Sequence, residues 1–537
     1  MAFPILRKAA WRVALVVAAV ASVAWFFRFH ILSGLTRFSG DSYDGMIEVS
    51  ILQHWDNVFH GLEPWNRLAY FQPAANSLGY NDGYLLYGVL YALARVAGLP
   101  LVAAAETVNV AMKLIGFAGM YLFLRRAAGC RAGWAAFGAI LFTIADLTLI
   151  HVNHAQLLTV ALAPVAGLLA WNAVTALYAA DRRALLRNGL AFAATYALWI
   201  STAYYLAWFF AFFLLVMLIL HLASHREARQ RLFAAIRESR RSLAAVAVAA
   251  LVMLAPFLFV YVGKALETGS RGFSGVSRTT ITPLELVDPG ANNALWSWLL
   301  HGGAGQDEVF GVLPILLIVA LIVVVHAVRA KAPMTGWRLV AVALGVSWLL
   351  MLRIGPVTPW YAVHLLPGAS ALRVIGRFQI VLLVPCIALA VRFLDGMKAQ
   401  WAALLATALI VEQAAVTDAP VQLDQSKQLA MIDTMPAPPP ACRYFVVRSG
   451  RPYPYPVQDP ANDAIYAHNV DAMVLAETHR LPMLNGFSSF NPPGWDFADP
   501  ARSDFPDRVR AYAARYGLTG VCMLDRQHVD GWIPIAT

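Results

Sequence analysis

The feature that most constrains this chain is a series of apolar blocks, each long enough to cross a bilayer. A spanning helix needs about 20 mostly apolar residues, because in hydrocarbon every backbone polar group must be bonded within its own segment. About eleven such blocks occur, at 13–31, 101–124, 133–150, 155–178, 188–203, 204–222, 243–262, 309–328, 337–353, 378–395 and 400–417. The run 188–222 is continuous, and we divide it at Thr202-Ala203 as a tight helical hairpin. Composition agrees. The chain is 59% hydrophobic and 13% charged, whereas soluble domains sit near roughly 45–50% and 25%. Disorder, a long solvated coiled coil and a disulfide-stapled mini-protein are excluded. The fold class expected is an all-α polytopic membrane bundle.

The net charge of +10 raises the question of a nucleic-acid partner, and its distribution answers it. With the N-terminus inside, the inner segments hold Arg7, Lys8 and Arg12, then Arg125, Arg126 and Arg131, then Arg182, Arg183 and Arg187. The cluster Arg226 to Arg241 follows, then Arg329, Lys331 and Arg338, then Arg392 and Lys398. The outer loops are long yet poor in Lys and Arg. Positive charge gathers on the cytoplasmic side of membrane proteins, so the excess reports topology: N-in and C-out, with no nucleic-acid function.

Arg7, Lys8 and Arg12 before an apolar run, with Ala19-Val20-Ala21 beyond, resemble a signal peptide. The apolar run continues past that point, which favours an uncleaved first span. Cys130 and Cys386 fall in or at spans and read as small apolar residues. Cys442 and Cys522 lie in the outward tail, where an oxidising compartment lets them pair; simple burial is the alternative.

Three outer segments stand apart from the short loops: 32–100, 263–308 and the tail 418–537. This places the binding or chemistry outside. In the first, Ile47, Ile51, Trp55, Val58 and Leu62 recur at helical spacing and predict an amphipathic helix lying in the membrane interface. A short apolar stretch, 83–97, reads as an interfacial or re-entrant helix ending at Gly98-Leu99-Pro100, since a full crossing would invert the charge pattern. The tail begins with Pro436-Ala437-Pro438-Pro439-Pro440. Arg443 to Val447 and Leu518 to Leu524 then read as strands, and 504–516 as a helix. A small α/β or α+β extracytoplasmic domain at 418–537 fits, following a membrane domain at 1–417.

The sharpest chemical signal is Gly40-Asp41-Ser42-Tyr43-Asp44-Gly45. Asp41, Asp44 and Glu48 fall on the arc that Ile47, Ile51 and Trp55 occupy, so the acids prolong the face that packs inward. Carboxylates so placed are costly unless paired or used; a helix N-terminus decorated with acids is the alternative. Asp82, in Tyr80-Asn81-Asp82-Gly83, either joins these acids or caps its own helix. Glu106, Asn109 and Lys113 share one stripe of the second span. Lys113, well inside it, pairs with Glu106 or with Asp146, or contacts ligand. His151 and His154, at i, i+3, suit a metal or a polar ligand, although two ligands alone define no metal site. Arg271, Arg278, Arg353, Arg373 and Arg377 lie outside against the topological bias. Arg373 and Arg377, at i, i+4, are suited to phosphate; interfacial snorkelling is the alternative.

An uncleaved first span, an outer loop opening with acids, a bundle of spans and an outward tail together resemble the GT-C superfamily of membrane glycosyltransferases. The likeness is carried by Gly40-Asp41 through His54-Trp55, Gly61, Pro64-Trp65 and Pro73, by His151 to Pro164, and by Leu366-Pro367 through Arg373-Val374 to Arg377-Phe378. It covers most of 1–395. It implies a sugar donor linked to polyprenyl phosphate, a lipid, glycan or protein acceptor, and membrane lipids as surroundings, on the outer face of a bacterial plasma membrane. It implies a first-loop aspartate as base, matched best by Asp41 and next by Asp44, and Arg373 and Arg377, with Arg278, on the lipid phosphate. Some members use a divalent metal and others do not, which leaves the cofactor open. A transporter of lipid-linked saccharides, or a non-catalytic scaffold for envelope assembly, is the alternative class; the first would want broken helices and a repeat, and neither is evident. Asn485-Gly486-Phe487 and Pro492-Pro493-Gly494-Trp495 stay unassigned.

Overall fold

The computed structural model describes residues 2–537 except 42–43, 225, 270, 303–308, 419–421, 449–469, 471, 489, 497–501, 526–530 and 536–537. Each apolar block is helical over most of its length. The 188–222 run divides where its sequence suggested, between the Arg182–Ile200 and Tyr204–Ser224 helices. Among the described residues, seven helical stretches are long and apolar enough to cross a membrane: Ala9–Phe26, Leu101–Arg126, Ala132–Leu149, Ala155–Tyr178, Tyr204–Ser224, Arg240–Thr268 and Ile375–Asp395. The apolar helices Pro314–Arg329 and Gly336–Met351 are shorter.

Two helices show the extremes of packing. Phe378–Asp395 runs through the centre, with Phe378 to Val391 all buried. Arg240–Thr268 is just as apolar yet stands on the outside, with Val248, Leu251 and Val252 62%, 63% and 68% exposed. An apolar helix left bare in this way has its natural solvent in lipid.

The segment after the first apolar block corrects one expectation. Its helix forms, at Asp44–Phe59, but is buried on nearly every side. Gln53, His54, Asp56 and Asn57 are as buried as Ile51 and Trp55. The polar face is satisfied by protein: Tyr91 donates to Gln53 (2.9 Å), and Asn57 Nδ2 donates to the Glu477 carbonyl (2.9 Å). Leu62 falls beyond the helix end. The short helix Leu85–Val96 stops just before Gly98-Leu99-Pro100, and Gly88 lets it press against Trp55, which a Cβ would meet at 2.3 Å.

The tail is tied to that same segment. Strand β1 (Arg37–Ser39) pairs antiparallel with β2 (Gln422–Asp424). Further on, β3 (Tyr444–Arg448) pairs parallel with β4 (Val521–Asp525), which pairs antiparallel with β5 (Gly531–Pro534). The Phe505–Arg515 helix lies in the crossover, and a disulfide joins Cys442 to Cys522. Phe71 N–H donates to the Asn485 carbonyl and Met483 N–H to the Ala69 carbonyl (3.0 and 2.9 Å). Here the unassigned motifs find their use. Asn485 Oδ1 accepts from Val447 N–H (2.8 Å), a Cβ on Gly486 would meet the Phe71 ring at 2.5 Å, and Trp495 packs edge-on to Phe71 (5.6 Å) while donating to the Leu484 carbonyl.

Candidate active site

The acids at the start of the Asp44–Phe59 helix diverge. Asp41 Oδ1 accepts from Gly45 N–H (3.1 Å), holding the first turn. Asp44, one turn on, reaches across to the segment between the third and fourth blocks, where its Oδ2 lies 3.2 Å from His154 Nε2. The Asp44 side chain keeps 35% of its exposure and His154 only 8%. Burial pushes the Asp44 carboxyl up, but the His154 hydrogen bond and charge, followed by the charges of Arg377 and Arg373, hold it below the usual carboxylate range.

Glu48, a further turn along, is 4% exposed and accepts from Ala155 N–H. It lines a cavity of about 10 Å³ with Glu106, Asn109 and Asn153, and its Oε1 has no hydrogen-bond partner. Burial, then the neighbouring Glu106 charge, raises its carboxyl well above the usual range. Glu106 holds the start of the loop by accepting from Ser39 N–H and Oγ (2.9 and 3.1 Å).

The arginines arrive on the segment 366–377, docked on the Tyr204–Ser224 helix. Tyr204 donates to the Gly368 carbonyl and Trp208 to the Pro367 carbonyl (2.9 and 3.0 Å). Arg373 N–H donates to Tyr205 (2.6 Å), and the Arg373 carbonyl accepts from Thr279 Oγ1 (2.5 Å). The Arg373 side chain is exposed. Arg377 is 7% exposed, its guanidinium 5.4 Å from the Tyr205 ring centroid, and its Nε has no partner. Arg278 ends the short Phe273–Ser277 helix, next to Thr279, and is exposed. Arg271 packs over Phe490 (4.7 Å), while Arg353 N–H donates to the Ile281 carbonyl (2.7 Å).

Asp82 closes the site from another direction. Its Oδ1 accepts from Tyr204 N–H (2.9 Å), so it caps the Tyr204–Ser224 helix rather than its own. Burial raises its carboxyl, with the Tyr204 hydrogen bond and then the Arg377 charge opposing. Tyr84, buried within electrostatic reach of Glu48, Asp82 and Asp44, joins these acids. Neither Tyr84 nor Tyr205 is singled out by sequence, since tyrosines abound near membrane surfaces; the αL backbone of Tyr84 (φ 50°) marks it only in three dimensions.

Two expected residues lie elsewhere. Lys113 pairs with neither Glu106 nor Asp146. It donates to the Thr143 carbonyl and Thr148 Oγ1 (3.1 and 2.7 Å) and sits 3.5 Å over the Phe26 ring. The end of the Ala132–Thr143 helix exposes free carbonyls, which suit a cation. His151 meets His154 through the backbone, its carbonyl accepting from His154 N–H (3.0 Å), while its ring turns to other partners. Its Nδ1–H donates to the Leu147 carbonyl (2.9 Å), and its ring stacks on Phe310 (4.8 Å). Phe310 in turn fills the space a Gly376 Cβ would need, so His151 backs the turn that carries Arg377.

Set beside solved structures, this architecture has close parallels. It matches the oligosaccharyltransferase of Archaeoglobus fulgidus in its apo form, with TM-score 0.53 at 12% identity over 95% of this chain and 69% of that one. It matches a mutant of the arabinofuranosyltransferase AftD from Mycobacteria, with TM-score 0.51 at 14% identity over 90% of this chain. At these identities the likeness is one of fold alone: the chain shares the fold of these two transferases. ArnT from Cupriavidus metallidurans aligns over 96% of this chain and 93% of its own at TM-score 0.40 and 13% identity. The chain spans about a third of the length of AftD, covering 33% of it. No protein-family model matches the sequence, and no curated protein sequence matches it. On this fold the Asp44–His154 pair feels the charges of Arg377 and Arg373, and Asp82, which caps the Tyr204–Ser224 helix, feels that of Arg377.

Proposed function

We propose that this protein is a membrane glycosyltransferase that moves a sugar from a polyprenyl-phosphate carrier to an acceptor on the outer face of the plasma membrane. The observation that carries the reading is Asp44, held 3.2 Å from His154 within the field of Arg377 and Arg373. In this reading the eleven helical blocks all span, N-in and C-out, and 418–537 is an extracytoplasmic domain. The Cys442–Cys522 disulfide supports that side for the tail, because such bonds persist in oxidising compartments.

The chemistry follows from the charges. The acceptor hydroxyl attacks the anomeric carbon as the bond from that carbon to the phosphate oxygen breaks. The departing phosphate keeps the electron pair, and Arg377 and Arg373, with Arg278 at the rim, stabilise its charge. Phosphate leaves without being protonated, so no general acid is needed. Asp44 takes the hydroxyl proton, while Asp41 sets the helix turn that aims it. A depressed pKa costs basicity but keeps Asp44 ionised throughout neutral pH. His154 fixes its orientation; Asp82 and Glu48 line the approach. In this reading Lys113 and His151 are positioning residues. Among the described residues, no third His, Cys, Asp or Glu joins Asp44 and His154 at metal-binding distance.

The test is mass spectrometry of lipid-linked sugars and surface glycans in deletion cells complemented with wild type, Asp41→Asn or Asp44→Asn. The reading requires a lipid-linked sugar to accumulate, a glycan to lose one residue, and Asp44→Asn not to rescue at normal protein level. Full rescue by both variants sinks the base assignment and brings forward the transporter or scaffold.

A further inference from the structure

A second cluster lies where the first outer segment meets the tail. His54 on the Asp44–Phe59 helix, Glu63 just beyond it, and Glu477 in the helical stretch 472–479 each bring a ligand atom within 4.8 Å of the others. His54 and Glu477 have no exposed side-chain surface and Glu63 has 11%. Nδ1 of His54 stands 2.7 Å from Glu63 Oε2 and 3.9 Å from Glu477 Oε2.

The outward-facing atoms of all three residues are already engaged. Glu63 Oε1 accepts from Asn57 Nδ2, and Glu477 Oε1 from Ala69 N–H (both 2.9 Å). His54 Nε2 faces the Trp65 carbonyl at 3.3 Å. A carbonyl only accepts, so Nε2 carries a hydrogen, and Nδ1 is the ring nitrogen turned toward the two carboxylates. Glu477 Oε2 is buried and receives no N–H, and the Glu63 carboxyl faces it across this space. Two carboxylates converging on one ring nitrogen out of water repel each other unless a proton or a metal ion sits between them.

One imidazole nitrogen and two carboxylate oxygens form a donor set for a borderline divalent ion. Donors around a tetrahedral ion with bonds of about 2.1 Å stand roughly 3.4 Å apart, and the two distances from Nδ1 bracket that spacing. The Trp65 carbonyl supplies the outer hydrogen bond that metal-bound histidines usually make. We propose that His54, Glu63 and Glu477 form a binding site for Zn²⁺ or Mn²⁺ that clasps the tail to the first outer segment. The site is separate from Asp44, which lies ten residues, or about 15 Å, back along the helix, and it does not depend on the glycosyltransferase reading.

The experiment uses the full chain purified in detergent, stripped with EDTA and then given Mn²⁺ or Zn²⁺. Metal content is read by elemental mass spectrometry, bound Mn²⁺ by EPR, and stability by apparent Tm. Expected is about one equivalent per chain in wild type and in Asp44→Asn, and less than about a tenth in Glu477→Gln and His54→Gln. Chelation should lower the Tm of wild type and leave that of Glu477→Gln unchanged. If Glu477→Gln does not fold, His54→Gln and the wild-type metal content decide. Two results overturn the proposal: wild type that takes up neither ion and whose Tm ignores both EDTA and metal, or stoichiometric binding that survives in the folded variants. The first outcome would mean that the three groups share protons instead.

Discussion

The Asp44 carboxylate and the His154 ring meet at 3.2 Å, joining the segment after the first apolar block to the one between the third and fourth. The pair lies where the charges of Arg377 and Arg373 also act.

Replacing Asp44 by Asn should cut sugar transfer by about a hundredfold or more, the usual range for a lost general base. Protein level and apparent Tm should stay near wild type. Transfer assayed in isolated membranes checks this; activity within threefold or so of wild type assigns the base elsewhere.

His154→Gln should move the acid limb of activity to higher pH. In the native protein His154 is the largest influence lowering the Asp44 carboxyl, while burial raises it. Without the imidazole, burial weighs more and Asp44 gains its proton at a higher pH. A pH profile of kcat/KM reads the shift; an unmoved limb means His154 does not tune Asp44.

Arg377→Lys keeps the charge but loses the planar fork. Charge-assisted hydrogen bonds contribute about 1.5–3 kcal/mol, so transfer from the lipid-linked donor should fall roughly 10- to 100-fold. Arg377→Ala should fall further. Equal activity for both variants removes Arg377 from the phosphate site.

Glu48 gives a stability signature. Its folded carboxyl is raised by burial and by Glu106, above the unfolded value of about 4.3. Between those two values the folded state holds the extra proton, so stability is lost as pH rises through the window. Glu48→Gln removes that loss. The apparent Tm of wild type should fall more steeply from mildly acidic to alkaline pH than that of the variant, and parallel curves refute the assignment.

Reduction should destabilise the tail. The Cys442–Cys522 bridge closes a separation of 80 residues, and such links typically contribute about 2–4 kcal/mol. Thiol labelling of the native protein should be slight until it is reduced, because Cys130 and Cys386 are buried. Immediate labelling of Cys442 or Cys522 shows the bond to be absent.

The sequence alone located the helices, since each apolar run carries its own instruction: in hydrocarbon a backbone must bond to itself. It also located the tail's strands near Arg443 and Leu518 and its helix near 504, where short-range alternation and periodicity suffice. It brought out Asp41, Asp44, Arg373 and Arg377 because charges set against an apolar or outward background are visible one residue at a time. Tertiary structure decided the rest. It turned Asp44 to His154 and left Asp41 on its own helix turn; it gave Asp82 to the Tyr204 helix and Lys113 to the carbonyls at Thr143. It buried the polar face of the Asp44–Phe59 helix beneath the tail and brought Glu477 to His54. These contacts join segments remote in sequence, and their pairing energy depends on distances and solvent exclusion that exist only once the chain has packed.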